Sequence, residues 1–209
     1  MTVSRVPISD PRSSERLLAN PRLIHPIALA AAAAVCLALP IGAAAQLPRP
    51  RNAVIVPGAS IAGVKLDMTQ SQVFSKWGST HCSSGTCTWQ GPGKPGQNER
   101  ATVSFVHGKA VQITINASVT GLNEKFKPGL LSRWKTSRGV SLGSLKSAVA
   151  RAYPQAKPNV AEGVQGFDLF QGRRPNLRFT RFSTPGIGAT PNRLRYIELA
   201  WDTCHYFKC

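Results

Sequence analysis

The chain has 209 residues, with 26 Lys and Arg against 9 Asp and Glu and a net charge of +17 at neutral pH. Hydrophobic residues make up 42% of it, and a chain of about 150 residues or more can bury roughly 68–70% of its unfolded surface, so this is no fragment too small for a core. The charge balance favours polyanions such as acidic wall polymers or anionic headgroups. The basic residues are scattered rather than blocked, however, as in an ordinary basic secreted protein.

Residues 1–45 read as a targeting segment. Arg5, Arg12, Arg16 and Arg22 precede an apolar run from Ile27 to Leu39, then Pro40, Gly42 and the small residues Ala43-Ala44-Ala45. This is the three-part plan of a secretory signal peptide, with cleavage expected after Ala45. A retained N-terminal anchor is the alternative, since a bilayer span needs roughly 17–25 residues. Beyond Ala45 lie 22 basic and 7 acidic residues, a net charge of about +15. Residues 46–60, with Pro48, Pro50, Pro57 and Gly58, predict an exposed arm.

Residues 61–120 form a first unit and 136–209 a second, joined by a basic linker at 121–135. The units share a pattern. Gly63-Val64-Lys65-Leu66 recurs as Gly139-Val140-Ser141-Leu142, and each is followed by a helical pattern that stops at an aromatic, Trp77 or Tyr153. Such a repeat bears on architecture first. Thr69 and Gln72 form a capping box that predicts the first helix start. Ser144 is the expected cap of the second helix, whose Leu145, Ala148, Val149, Ala152 and Tyr153 follow helical spacing. In the linker, Leu130, Leu131 and Trp134 are expected to dock onto the core.

Strands follow each helix. Thr88–Gln90 is a short one. Thr102–Val106 and Val111–Asn116 alternate as a half-buried hairpin around His107-Gly108-Lys109. In the second unit, Gly166–Phe170 is a strand, and Leu177–Phe182 pairs with Arg195–Trp201 across a Gly- and Pro-rich loop. The alternation predicts Val103, Phe105, Val111, Ile113 and Ile115 facing the helices, with Gln112 and Thr114 facing out. In the second hairpin it predicts Leu177, Phe179, Ile197 and Leu199 facing in, and Arg178, Thr180, Tyr196 and Glu198 facing out. One sheet face displaying Arg and Tyr is the chemistry of an interaction surface; an ordinary solvated face with cross-strand pairs has the same pattern.

Beyond the signal segment the cysteines come as two pairs, Cys82 with Cys87 and Cys204 with Cys209. Outside the cytosol this reads as disulfides, with sequence-local pairing expected among three connectivities. A thiolate metal site with His81 and His205 is disfavoured by the spacing, and no metal or cofactor is expected. Gly91-Pro92-Gly93-Lys94-Pro95-Gly96 matches a dinucleotide loop as a string, but no helix opens after it, so it predicts a hairpin loop. Gly139-Val140-Ser141-Leu142-Gly143 matches a serine nucleophile elbow but lacks the buried strand before it. Ser141 as the nucleophile of a hydrolase is the least favoured reading, and no catalytic residue is assigned.

The order Gly-Val-x-Leu, capped helix, aromatic stop, strand, hairpin resembles the tandem units of the β-lactamase inhibitory protein family and the small outer-membrane assembly lipoproteins of the SmpA/OmlA type. The resemblance spans about residues 61–209. It implies an α+β fold of two tandem helix-plus-antiparallel-sheet repeats and a role in binding other proteins. The resulting expectation is a secreted or cell-envelope, non-enzymatic protein that contacts another exported or envelope protein through its sheet face. The alternative is a basic binder of anionic wall polymer or lipid at a membrane surface. No specific nucleic-acid partner is expected, and oligomeric state is left open.

Overall fold

A computed structural model describes residues 46–91, 98–118, 128–161, 164–184 and 192–202. Eleven strands and two short α-helices occur among them. In chain order they are β1 (Val54–Val56), β2 (Ser60–Ile61), α1 (Gln70–Trp77), β3 (Cys82–Ser83), β4 (Thr86–Gln90), β5 (Asn98–Val106) and β6 (Lys109–Ser118). A 3-10 turn at Leu131–Arg133, β7 (Lys135–Thr136), α2 (Lys146–Ala152), β8 (Lys157–Ala161), β9 (Val164–Gln171), β10 (Arg178–Thr184) and β11 (Tyr196–Trp201) follow.

The strands form one large and one small sheet. The large sheet has eight antiparallel strands in the order β3-β4-β5-β6-β11-β10-β9-β8. The small one runs β2-β1-β7, with β1 and β7 parallel. The expected fold of two tandem helix-plus-antiparallel-sheet repeats is therefore overturned: the molecule is mostly β. Two pairings explain the difference. β6 joins β11 along five residue pairs, Ala200↔Gln112 to Tyr196↔Asn116, so hairpins predicted to serve separate units share one ladder. β1 joins β7, which ties the expected arm to the expected linker. The helices, eight and seven residues long, cannot build a layer for each half.

The shared motif has a local meaning. Gly63 and Gly139 both take left-handed backbone angles, φ 82° and 78°, which cost glycine nothing. Thr69 caps α1 through the predicted box: Gln72 N–H donates to Thr69 Oγ1, and Thr69 N–H donates to Gln72 Oε1. The second copy departs from expectation. Leu145 is the cap residue of α2 and makes no side-chain cap bond, while Ser144 Oγ accepts from Ser141 N–H one turn earlier.

The core lies between one face of the large sheet and the helices and small sheet. Ile55, Ile61 and Val64 approach from the small sheet and its turn, Val73 and Trp77 from α1, Val149 from α2 and Tyr153 from the C-terminal cap of α2. They meet Trp89, Val103, Ile113, Phe182, Ile197 and Leu199. Trp77 sits edge-on to Trp89, with centroids 5.2 Å apart, and 5.6 Å from Trp134. Its Nε1–H donates to the Ala62 carbonyl at 3.1 Å. Tyr153 stacks on Phe182 at 5.5 Å. Residues 46–60 are thus no simple exposed arm, since Ile55 is 1% exposed. Leu131 and Trp134 dock as predicted, and Leu130 stays exposed. Glu99, on β5, anchors that docking by accepting from the N–H groups of Leu131 and Ser132.

β3 and β8 are the edges of the large sheet. β8 escaped sequence reading because Pro158 and Lys157 break its strand pattern, which suits an edge. β3 is closed onto β4 by the Cys82–Cys87 disulfide, formed between directly paired residues. Cys204, Cys209, the N-terminal segment and the loop at 92–97 lie outside the described residues.

Candidate functional site

Strand alternation divides the large sheet into two faces. The register carries Val103, Ile113, Leu199, Thr180 and Leu169 across five strands on the core face. The next row carries Thr102, Thr114, Glu198, Arg181 and Asp168 on the other, outer face. The named contacts of the helices and the small sheet with the large sheet fall on the core face, as in Trp77–Trp89, Tyr153–Phe182 and Gly58–Thr180.

Four of the six predicted surface residues stand together on the outer face: Gln112, Thr114, Tyr196 and Glu198. They form one network. Gln112 Nε2–H donates to Glu198 Oε1, and the hydroxyls of Thr114 and Tyr196 lie 3.4 Å apart. Thr180 and Arg178 belong to the opposite face, which corrects the sequence reading. Thr180 is 1% exposed, and its Oγ1 accepts from Gly58 N–H at 2.6 Å. Arg178 lies half-buried at the end of the strand, its guanidinium 5.9 Å from the centre of the Trp201 ring. Phe179 and Phe182 are three apart and cannot share a strand face. Phe182 wins the core by stacking on Tyr153, and that choice turns Phe179 and Arg181 outward.

The residues that reasoning missed are Arg181 and Asp168. Arg181 makes a two-pronged pair with Asp168, Nε–Oδ1 at 2.9 Å and Nη2–Oδ2 at 3.0 Å. Its Nη1 lies 3.8 Å from Glu198 Oε2. Asn159 Nδ2 donates to Asp168 Oδ2 at 2.7 Å, which holds the carboxylate from the edge strand. The available signal was Arg181 itself: facing Phe179 inward would have driven a guanidinium into the core.

Burial shapes the electrostatics. Desolvation raises the Glu198 carboxyl above its ordinary range, against the Gln112 hydrogen bond and the Arg181 charge, which pull it down. Desolvation and then the Glu198 charge raise the Tyr196 hydroxyl. The hydrogen bond to Asp168 is the largest influence on the Arg181 guanidinium, which is raised.

A cavity of about 540 Å³ opens over this row, lined by Gln112, Asp168, Phe170, Phe179, Arg181 and Glu198 among others. Phe170 and Phe179 form its aromatic side, with centroids 6.2 Å apart and planes tilted by 53°.

Ser141 is buried and its hydroxyl donates to the Leu142 carbonyl at 3.2 Å; His205 lies outside the described residues. Comparison of the chain with protein-family models, curated proteins and solved structures gave no match.

Proposed function

We propose that this is an exported, non-enzymatic binding protein that contacts another exported or envelope protein through the outer face of its large sheet. One observation carries the reading. A row of polar and charged side chains crosses four adjacent strands on a single face, held in place by its own hydrogen bonds before any partner arrives. Such a surface loses little conformational freedom on association, which favours binding. Tyr196 and Arg181 are the residue types that anchor interfaces.

The test is capture. The purified protein is immobilised, exposed to envelope and secreted extract of the producing cells, and eluted in rising salt. The expected result is a discrete protein retained at high salt and lost when Tyr196→Ala replaces the wild type. Release of all bound material at moderate salt, with wall polymer or lipid in the eluate, would overturn this reading. It would favour a basic surface binder, the reading that the net charge of +17 supports through screened attraction.

A further inference from the structure

The geometry points to a saccharide-binding site in the cavity over β6, β9, β10 and β11, in which a sugar ring lies on Phe170 and its hydroxyls engage Arg181 and Glu198, while the guanidinium of Arg181 rests over Phe179. This goes beyond the protein-partner reading and does not depend on it.

The cavity has two sides of different chemistry. One is aromatic. Phe170 is 44% exposed, a large apolar ring displayed on a face whose neighbouring row is polar. A pyranose presents C–H groups on the face of its ring and hydroxyls around its rim, so one side of it matches a phenyl ring. The other side is built from planar polar groups: the carboxylates of Asp168 and Glu198, the guanidinium of Arg181 and the amide of Gln112. These are already oriented by the Arg181–Asp168 pair and the Gln112–Glu198 bond.

The gap between Arg181 Nη1 and Glu198 Oε2 narrows the ligand class. At 3.8 Å it is too long for a hydrogen bond, for which about 2.7–3.2 Å is usual. A hydroxyl oxygen placed between them can accept from the guanidinium and donate to the carboxylate. An ammonium only donates and an ionised carboxylate only accepts, so neither satisfies both groups. Local charge agrees. Asp168, Glu198 and Asp202 line the cavity beside Arg181, and Asp202 also holds Arg174 at 3.2 Å. With three carboxylates in its lining, this spot is not an anion trap even in a strongly basic chain. The volume of about 540 Å³ falls within the range of small-molecule sites, roughly 300–1,000 Å³.

The experiment is titration of the full-length protein, followed by saturation-transfer NMR and calorimetry. The probes are methyl glycosides of glucose, galactose, mannose and N-acetylglucosamine, with cellobiose and chitobiose. At least one probe is expected to bind with millimolar or tighter affinity, and Phe170→Ala to weaken it at least tenfold. Phe170 is exposed, so this variant is expected to keep the wild-type circular dichroism. Arg181→Lys, which keeps the charge but removes the fork, should also weaken binding, and Gln90→Ala, on β4, should not. No binding by any probe at 10 mM, about the limit of a useful site at RT ln Kd, would overturn the proposal. So would equal binding by Phe170→Ala, or a preference for butylammonium or inorganic phosphate over every sugar. Capture of a protein in the experiment above is read separately from the sugar titration, so either result can fail without the other.

Discussion

Replacing Arg181 with Met tests the charged row most directly. Met keeps an unbranched stem on the side of Phe179, whose ring centre lies 5.0 Å from the guanidinium carbon, and removes the charge. Asp168 and Glu198, 6% and 5% exposed, then remain buried without their shared cation. Among the described residues, Asp168 keeps the Asn159 amide as a side-chain hydrogen-bond donor, and Glu198 keeps Gln112. Breaking a buried pair from one side costs about 3–5 kcal/mol. The Arg181 side chain is 33% exposed, so solvent screens part of that loss and about 2–3 kcal/mol is expected. At about 2–4 °C per kcal/mol for a chain of this size, Tm should fall by roughly 4–12 °C. The assay is thermal unfolding followed by far-ultraviolet circular dichroism at neutral pH and low salt. Adding Asp168→Asn should recover part of the loss, because the two residues are directly coupled. Arg178→Met is the internal control: its guanidinium rests over Trp201 at the strand end, and about 0.5–1 kcal/mol is at stake. A loss below about 1 kcal/mol for Arg181→Met, or additive behaviour with Asp168→Asn, would refute the assignment of Arg181 as the counter-charge of this row.

Three further outcomes follow from the same structure. The native Glu198 carboxyl is raised by burial, so the folded state holds its proton to higher pH than the unfolded chain. Its contribution is fully present below the unfolded value and is lost as pH rises through the folded one; Glu198→Gln should flatten that slope in urea unfolding across weakly acidic pH, and parallel curves would count against it. Thr180→Val leaves the buried Gly58 N–H without its acceptor and should cost about 1–3 kcal/mol in chemical denaturation, whereas an outward-facing Thr180 would be neutral. Replacing both Cys82 and Cys87 with Ser opens a small ring between paired strands and should cost about 2 kcal/mol by the chain-entropy estimate. Thermal melts of the oxidised protein and this variant would check it, and identical midpoints would refute it.

Local signals in this chain were legible where few neighbours decide the outcome. Thr69 and Gln72 define the start of α1 because a capping box lies within four residues. The Val103, Ile113, Ile197 and Leu199 faces followed from period-two alternation with one apolar set. Cys82 and Cys87 pair across a tight hairpin. Gln112, Thr114, Tyr196 and Glu198 came to one face for the same reason. Where a segment offered two equivalent choices, sequence could not choose. β10 carries Phe179 and Phe182 on opposite faces, and the Tyr153 ring, at the C-terminal cap of α2, stacks on Phe182 and decides which is buried. That choice moved Thr180 to the core face and brought Arg181 into the site.

Architecture divides along the same line. By itself the sequence determined the positions of the helices and of most strands, the repeated Gly-Val-x-Leu turn and the strongly basic charge, and it left the Cys82–Cys87 pairing as one of three connectivities. It could not determine that β6 pairs with β11, that β1 reaches β7, or that Asp168, Arg181 and Glu198 stand side by side. Those are contacts between segments far apart in the chain. They are selected by the burial of one continuous apolar sheet face, a free energy that belongs to the assembled core and to no local stretch of residues.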